Sequence, residues 1–407
     1  MVSQKKHVAL DIGSSQITCV VGNVTSTGFV HVHATGVQAS AGIEKGIIVD
    51  MEKAVYAIKK TIEKTEKALG GSIQSVTVSS SGLNPKSHWV EEEISISSKK
   101  VKQVDLTKLL NICRSKVATE DTPIIHVIPY FYSIDGAEAK KPMGIHGKNL
   151  KASMHLITCQ KYAFDNLKYL LERCSLEINN VVIDSLASSL GTMDEQEKDI
   201  SSIVLDIGGG SSSWAIFYQG KFVYASSISL GGDHITSDIM HTISANNAEA
   251  ERIKNTYGSA IILDNNTTLV SIDYYRIGEQ DTMLYSVSRG EIISIINNRL
   301  NEIFDIVNAK ITKFGFAKRL ILTGGSANIE NIRELATYKL QRNVRIAKSI
   351  QTIGLSLYDK TNMTTAIGLL RYACEIRPKE EKIILNQAQI YEGSLFSRLW
   401  HFIRHEI

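Results

Sequence analysis

One short pattern occurs twice in this chain of 407 residues. Val8-Ala9-Leu10-Asp11-Ile12-Gly13-Ser14-Ser15 returns as Ile203-Val204-Leu205-Asp206-Ile207-Gly208-Gly209-Gly210-Ser211, with Asp11 and Asp206 standing 195 residues apart. Each copy reads as an apolar strand, an Asp-Ile-Gly turn and a second apolar strand, Ile17 to Val21 in the first and Trp214 to Tyr218 in the second, so each predicts a β-hairpin. A third strand follows in both (Phe29 to Val37; Phe222 to Ser229), then a glycine-bearing turn, Gly231-Gly232 in the second copy, and then a helix. Self-similarity in matched context points to two related α/β halves.

The length accommodates two or three domains with cores of their own. Apolar residues make up 43% and charged ones 21%, as in ordinary globular chains, and five prolines are too few for a disordered one. Lys and Arg number 45 against 42 Asp and Glu, which gives no overall field that argues for a nucleic-acid partner. The cysteines Cys19, Cys113, Cys159, Cys174 and Cys374 are odd in number, far apart and without a C-x-x-C pair, so reduced, buried thiols are expected. Asp11 interrupts the early apolar run, so no secretory signal is expected. No apolar stretch approaches the ~18 residues of a membrane-spanning helix, and the bulk of the chain is expected to be soluble.

Along the chain, Asp50 is placed to cap a helix whose stripe is Val55, Ile58, Ile62 and Leu69 and whose stop is Gly70-Gly71. A strand, Ser75 to Ser80, follows, and then the repeat breaks off. Strand Glu93 to Ser97, helix Asp105 to Lys116 and strands Ile124 to Ile134 and Ala152 to Thr158 predict a self-contained inserted α/β unit. The main pattern resumes with helix Tyr162 to Cys174 and strand Asn180 to Ile183. Beyond the second turn come helices near Ile235 to Thr242 and Ala248 to Thr256, a β-rich piece to Ser288, helix Glu291 to Lys313 and strand Arg319 to Leu322. The expected division is 1–82 with 158–199 (first core), 83–157 (insert), 200–235 with 310–376 (second core), 236–309 (a smaller lid and partner-binding unit), 377–392 (linker) and 393–407 (amphipathic helix).

The turns carry the chemistry. A carboxylate at a strand end followed by Gly and Ser lets backbone N–H groups of Gly13, Ser14, Ser15, Gly208, Gly209, Gly210 and Ser211 approach phosphate oxygens with little side chain in the way. Asp11 and Asp206 can then hold a hydrated Mg2+ through its waters. Facing hairpins of this kind make a nucleotide clamp, with Gly231 and Gly232 beside the second. Gly324, Gly325 and Ser326, after a strand, suit contact with an adenine and with phosphate. Glu251 and Lys254, three apart on a helix, could grip ribose hydroxyls or the purine, or form a surface ion pair. There is no G-x-x-x-x-G-K-[ST], and Gly208-Gly209-Gly210 lacks a dinucleotide fingerprint, which excludes P-loop and Rossmann readings.

With these turns the chain resembles the actin, Hsp70 and sugar-kinase superfamily, and within it the FtsA family of bacterial cell-division proteins. The family likeness is carried by His126-Val127-Ile128-Pro129, Lys141-Pro142-Met143-Gly144, Ala152-Ser153-Met154-His155-Leu156-Ile157-Thr158-Cys159, Leu186-Ala187-Ser188-Ser189, Thr236-Ser237-Asp238-Ile239, Ile321-Leu322-Thr323-Gly324-Gly325-Ser326-Ala327 and Thr365-Ala366-Ile367-Gly368-Leu369-Leu370. The resemblance implies an actin-like duplicated ATPase fold with a distinctive insert and with ATP and Mg2+ in the cleft. It implies further a protein at the cytoplasmic face of the bacterial inner membrane that anchors the tubulin-like FtsZ to the membrane, assembles into filaments and recruits later division proteins. The FtsZ tail would meet the unit spanning Thr236 to Ala309, where Arg299, exposed on the long helix, matches an acidic tail. Where the superfamily usually has a further Asp this chain has Ser213, and Asp184 is the remaining candidate for a general base through a water, or else a strand cap. Slow or absent hydrolysis is therefore expected. The alternatives are the related pilus-assembly actin homologue and a sugar or acetate kinase.

After Cys374 the composition turns polar, and a linker leads to a final amphipathic segment. On a helical wheel Leu395, Phe396, Leu399, Trp400, Phe402, Ile403 and Ile407 share one arc, while Ser397, Arg398, His401, Arg404 and His405 share the other. Such a helix is about 21 Å long. It is too short to span a bilayer and suited to lie in its surface, bound to lipid.

Overall fold

The structure, a computed structural model, describes residues 6–262, 270–276, 284–349, 352–355 and 362–376. Each copy of the repeat is a hairpin at the centre of its own sheet. The first pairs His7–Ile12 with Gln16–Val24, and the second pairs Ser202–Ile207 with Ser212–Tyr218. Around the first lies a six-stranded sheet in the order Glu177–Val181, Ser75–Ser80, His7–Ile12, Gln16–Val24, Val30–Ala39, Thr352–Ile353. Around the second lies a five-stranded sheet in the order Lys221–Ile228, Ser212–Tyr218, Ser202–Ile207, Arg319–Thr323, Asn343–Ile346.

Strand parity decides where the carboxylates go. Successive side chains on a strand point to opposite faces. Leu10 and Ile12 therefore share the outer face of the first sheet, packed under helices Met51–Leu69 and Lys161–Arg173 with Ile58 and Leu170. Leu205 and Ile207 do the same in the second lobe, against Phe304 of helix Arg289–Ile311. Ala9 and Val204 face the other way, into a core shared by both lobes and filled by helices Asp184–Thr192 and Thr364–Arg371. Asp11 and Asp206 keep the parity of Ala9 and Val204, so both turn toward the interlobe space. The two crossing helices approach closely because Gly191 lies against Thr364 O and Gly368 against Ala187 O, with no room for a Cβ at either.

The insert is a four-stranded antiparallel sheet, Lys86–Ser95, Asn149–Thr158, Ile124–Ile134 and Ala137–Glu138, backed by helix Gln103–Ser115. Its first strand differs from the expected Glu93 to Ser97. It begins at Lys86, because Lys86 to Ser95 pair residue for residue with Thr158 to Asn149 and the run Glu91-Glu92-Glu93 hides the alternation. This strand also seals the second lobe's edge. Trp89 Nε1 donates to Val223 O at 3.2 Å, Ala225 N–H donates to Ser87 Oγ at 2.9 Å, and the His155 ring stacks on Trp89 and meets Phe222 O at 3.1 Å. The edge strand Lys221–Ile228 is thereby covered rather than left as a template for pairing.

Two further expectations change. The strand expected over Asn180 to Ile183 is Glu177–Val181, and a helix, Asp184–Thr192, follows at once. That helix is buried on every side and rich in Ser and Gly, so it lacks the apolar stripe that announces an amphipathic helix. Asp184 accordingly opens a helix instead of capping a strand. All five cysteines are free, with Cys19, Cys113 and Cys159 buried and Cys174 and Cys374 partly exposed.

Candidate functional site

The two turns are built alike. Gly13 N–H donates to Gln16 O at 3.1 Å and Gly208 N–H donates to Ser211 O at 3.0 Å. They meet across the interlobe space. A Cβ on Gly210 would fall 2.7 Å from Ser14 Cβ and one on Gly209 would fall 2.7 Å from Ser15 Cβ, so glycine is required for the turns to come this close. Ser14 Oγ also accepts from Gly46 N–H at 2.7 Å, which fixes the loop after the third strand against the first turn.

Beneath the turns Asp11, Asp184 and Asp206 line one cavity of about 80 Å3 together with Ser213 and Thr365. The neighbours that bond the carboxylates are hydroxyls: Ser79 Oγ donates to Asp11 Oδ1 at 2.9 Å and Thr365 Oγ1 to Asp206 Oδ2 at 3.3 Å. Asp184 Oδ1 is buried with no partner. Burial pushes the Asp206 carboxyl up to about 6. Burial also raises Asp11, with the Asp206 charge adding to it and the Ser79 hydroxyl opposing it. Asp184 is raised well above the usual carboxylate range, first by burial and then by the charges of Asp11 and Asp206. Three acids that resist ionising together, one with an orphaned oxygen, fit a divalent cation that would relieve them. Among the described residues no three such groups stand close enough to ligate one ion directly, so the fit is to a hydrated ion held through its waters.

The remaining candidates converge on the second turn. Gly232 N–H and Asp233 N–H donate to Gly208 O and Gly209 O at 2.9 and 2.8 Å, which aims the start of helix Gly232–Ile243 at the turn. Gly324 takes a φ of 91°, and a Cβ there would strike the Asp206 carboxylate. Ser326 Oγ donates to Gly208 O at 3.4 Å. Lys254 is buried and donates from Nζ to Glu251 Oε2 at 2.6 Å, Thr236 Oγ1 at 2.8 Å and Gly232 O at 3.3 Å. Burial acts to raise Glu251, but the Lys254 ammonium and its hydrogen bonds outweigh it and hold the carboxyl below its ordinary value. Lys254 is thus buried beside the start of helix Gly232–Ile243, while Glu251 keeps a partly exposed carboxylate.

Arg299 differs from expectation. Its guanidinium is not an exposed free charge: it forks onto Asp238, Nε to Oδ2 at 2.8 Å and Nη2 to Oδ1 at 2.9 Å, and also bonds Glu302. Asp238 lies on helix Gly232–Ile243, and the i, i+3 neighbour Glu302 completes the cage. Leu395, Phe396, Leu399, Trp400, Phe402 and Ile403 lie outside the described residues.

Four residues at the site are not among those that the sequence assigns to it: Ser79, Ser81, Asp233 and Thr365. The run Ser79-Ser80-Ser81-Gly82 at a strand end was a usable signal. Thr365 opens the family-like run Thr365-Ala366-Ile367-Gly368-Leu369-Leu370, but nothing local in that run points to Asp206, since only the folding of a distant helix brings it there.

Comparison with known proteins bears on the whole chain. The family description "Cell division protein FtsA" matches residues 203–368, and "SHS2 domain inserted in FTSA" matches residues 82–158. Cell division protein FtsA of Agrobacterium fabrum is 30% identical over 97% of this chain and 91% of its own length. The Escherichia coli K12 protein of the same name is 29% identical over 99% of this chain and 98% of its own. Among solved structures, the PilM-PilN type IV pilus biogenesis complex is similar with a TM-score of 0.62 at 15% identity, covering 91% of this chain and 98% of that one. MreB5 of Spiroplasma citri bound to ADP is similar with a TM-score of 0.56 at 15% identity, covering 93% and 98%. The fold is the actin-like one, with an SHS2 insert.

Proposed function

This chain belongs to the FtsA family of bacterial cell-division proteins, and from that premise we propose that it binds ATP with a hydrated Mg2+ between its lobes and couples that binding to a polymer held at the membrane. The observation that carries the nucleotide reading is the pair of matching turns meeting over three buried carboxylates. Backbone N–H groups of Ser14, Ser15, Gly209, Gly210 and Ser211 grip the phosphates, while those of Gly13 and Gly208 close the turns. Gly324, Gly325 and Ser326 floor the adenine, and Glu251 with Lys254, already ordered by Thr236, meets the ribose. Mg2+ supplies charge to the phosphates when bound. Asp11 and Asp206 would hold its waters, and its charge would let the three acids ionise.

The cavity of about 80 Å3 is far below the roughly 300 Å3 at which small-molecule sites begin. Nucleotide entry therefore requires the lobes to part, with helices Asp184–Thr192 and Thr364–Arg371 sliding on their Gly191 and Gly368 contacts. Ionised Asp184 orients a water toward the terminal phosphate. Ser213 offers no second charge there, so turnover is slow. Equilibrium binding of ATP in Mg2+ and in EDTA tests the site: saturable Mg2+-dependent binding that Gly210→Val abolishes is expected, and unaltered binding by that variant would refute it.

The membrane and partner roles rest on the family and on the final segment. Residues 393–407 lie on lipid through Leu395, Phe396, Leu399, Trp400, Phe402 and Ile403, and the protein sits at the division site on the cytoplasmic face of the inner membrane. The FtsZ tail docks on the unit that contains Arg299, which also exposes Ile262, Val270, Tyr275 and Leu284. Self-assembly sums weak single-tail attachments, and later division proteins join the filament. Vesicle sedimentation of the full chain against one ending at Glu392 tests the tether, and equal pelleting would sink it.

A further inference from the structure

At the far end of the inserted sheet, opposite the strand ends that join the lobes, two loops are stitched by main-chain bonds. Ile96 N–H donates to Lys148 O at 2.7 Å, Val101 N–H to Ile145 O at 2.9 Å, Gly144 N–H to Val101 O at 2.9 Å and Gly147 N–H to Lys99 O at 3.2 Å. The hairpin tip beside them is fixed as well, since the Asp135 carboxylate accepts from the main-chain N–H groups of Lys148 and Asn149. This rigid pole carries Lys99, Lys100, Lys102, Lys141 and Lys148, all exposed. None of the five forms an ion pair among the described residues. The loops themselves, 96–102 and 135–148, contain only two carboxylates, Asp135 and Glu138, and Asp135 is engaged by the backbone. Across the whole chain the charges nearly balance, 45 against 42, so this pole is a local field and not a sample of the average surface.

Two apolar side chains stand among the lysines: Ile145 is 42% exposed and Val104, at the start of helix Gln103–Ser115, is 70% exposed. Stitched loops with lysine stems rather than arginine forks suit a fluid, diffuse layer of negative headgroups better than a fixed carboxylate partner. The two apolar tips can enter the headgroup layer beside them.

The geometry also lets one plane meet this pole and the C-terminal segment. The ring of Tyr372, near the end of the described chain, is 5.7 Å from His126, at the near end of strand Ile124–Ile134. Eight residues further along that strand, at about 3.3 Å each, the pole is roughly 26 Å away. A chain the length of residues 377–392 has a coil span of roughly 20–24 Å. We propose that this five-lysine pole of the insert is a second membrane contact that binds anionic lipid headgroups, so that the protein meets the bilayer at two points and in one orientation. The orientation rests on the tail lying on lipid; the binding by the pole does not.

The test is vesicle sedimentation with four full-length proteins: the natural chain, a tail variant (Leu399→Asp with Trp400→Asp), a pole variant (Lys99, Lys100, Lys102, Lys141 and Lys148 each →Gln), and both combined. Vesicles are phosphatidylcholine alone or with about a third phosphatidylglycerol. The tail variant should still pellet with the anionic vesicles, lose this in about 0.5 M salt and ignore the neutral ones. Adding the pole changes should lower its anionic binding at least tenfold, and replacing the same lysines by Arg should restore it. If the pole changes leave anionic binding within twofold in both tail backgrounds, the inference is wrong. Loss of binding to a poly-glutamate peptide without loss of vesicle binding also overturns it, in favour of an acidic protein partner. If the natural chain and the tail variant bind neutral vesicles equally, the tail reading fails while the pole stands or falls on its own arms.

Discussion

Asp184→Asn separates a carboxylate cluster built for a cation from one that merely packs. A carboxyl whose folded value lies above its unfolded value of 3.8 holds its proton more tightly in the folded chain. Stability is then greatest below about pH 4 and falls by about 1.4 kcal/mol per pH unit per group until the folded value is reached. For Asp206, raised to about 6, the loss is roughly 3 kcal/mol, completed near pH 6. Asp184 is raised well above 3.8 too, by burial and then by the charges of Asp11 and Asp206. An Asn there keeps the shape, offers its amide hydrogens to the neighbouring carboxylates, and removes the acid that must be protonated or forced to ionise. In EDTA the variant should melt above the natural chain at pH 6, by a margin that grows as the pH rises from about 4. At pH 4 the two proteins should melt within a degree or two of each other, since the pH is then close to the unfolded value of 3.8 and little of the loss has accrued. Scanning calorimetry at the two pH values, repeated with Mg2+ and ATP, reads all of this. The natural chain should be stabilised by Mg2+ and ATP more than the variant is. A variant that melts lower at pH 6, or that gains equally at both pH values, would refute the electrostatic argument.

Three other changes probe the remaining parts. Gly324→Ala puts a Cβ against the Asp206 carboxylate at a φ of 91°, so it should cost about 1–3 kcal/mol and weaken ATP binding, read by thermal melting and nucleotide titration. Asp238→Asn releases half of the cage on Arg299 and should strengthen binding of an acidic FtsZ tail peptide severalfold, whereas Arg299→Gln should weaken it; calorimetric titration showing no change in either removes Arg299 from the docking surface. Trp89→Ala deletes the ring that stacks on His155 and bonds Val223 O, so the insert should loosen from the second lobe and limited trypsin digestion should cut at the lysine-bearing loops near residue 86 or 221 sooner than in the natural chain.

How much of this was legible beforehand depends on the range of the interaction. The hairpins and the direction of Asp11 and Asp206 follow from a period of two and a Gly after the acid, both local. The helix Met51–Leu69 was equally plain, because Asp50 accepts from Lys53 N–H and Gly70 closes the helix in the left-handed region. Asp184–Thr192 was not, since a helix wedged between two lobes carries no polar face, and Ser188 and Ser189 suit a helix there only because their hydroxyls bond back to Ser185 O. Arg299 fails for the complementary reason. Helical spacing says that a long cationic side chain can reach solvent, but its partner Asp238 is 61 residues away in sequence and becomes a neighbour only when helices Gly232–Ile243 and Arg289–Ile311 pack. The width of the cleft is of the same kind. The motif predicts turns that can surround phosphate, yet whether they stand open or touch is set by the crossing of helices Asp184–Thr192 and Thr364–Arg371, whose glycines allow an approach that any Cβ would forbid. A nucleotide that wedges the turns apart must therefore shift this helix crossing, and this makes lobe separation, rather than affinity at any single turn, the quantity on which binding depends.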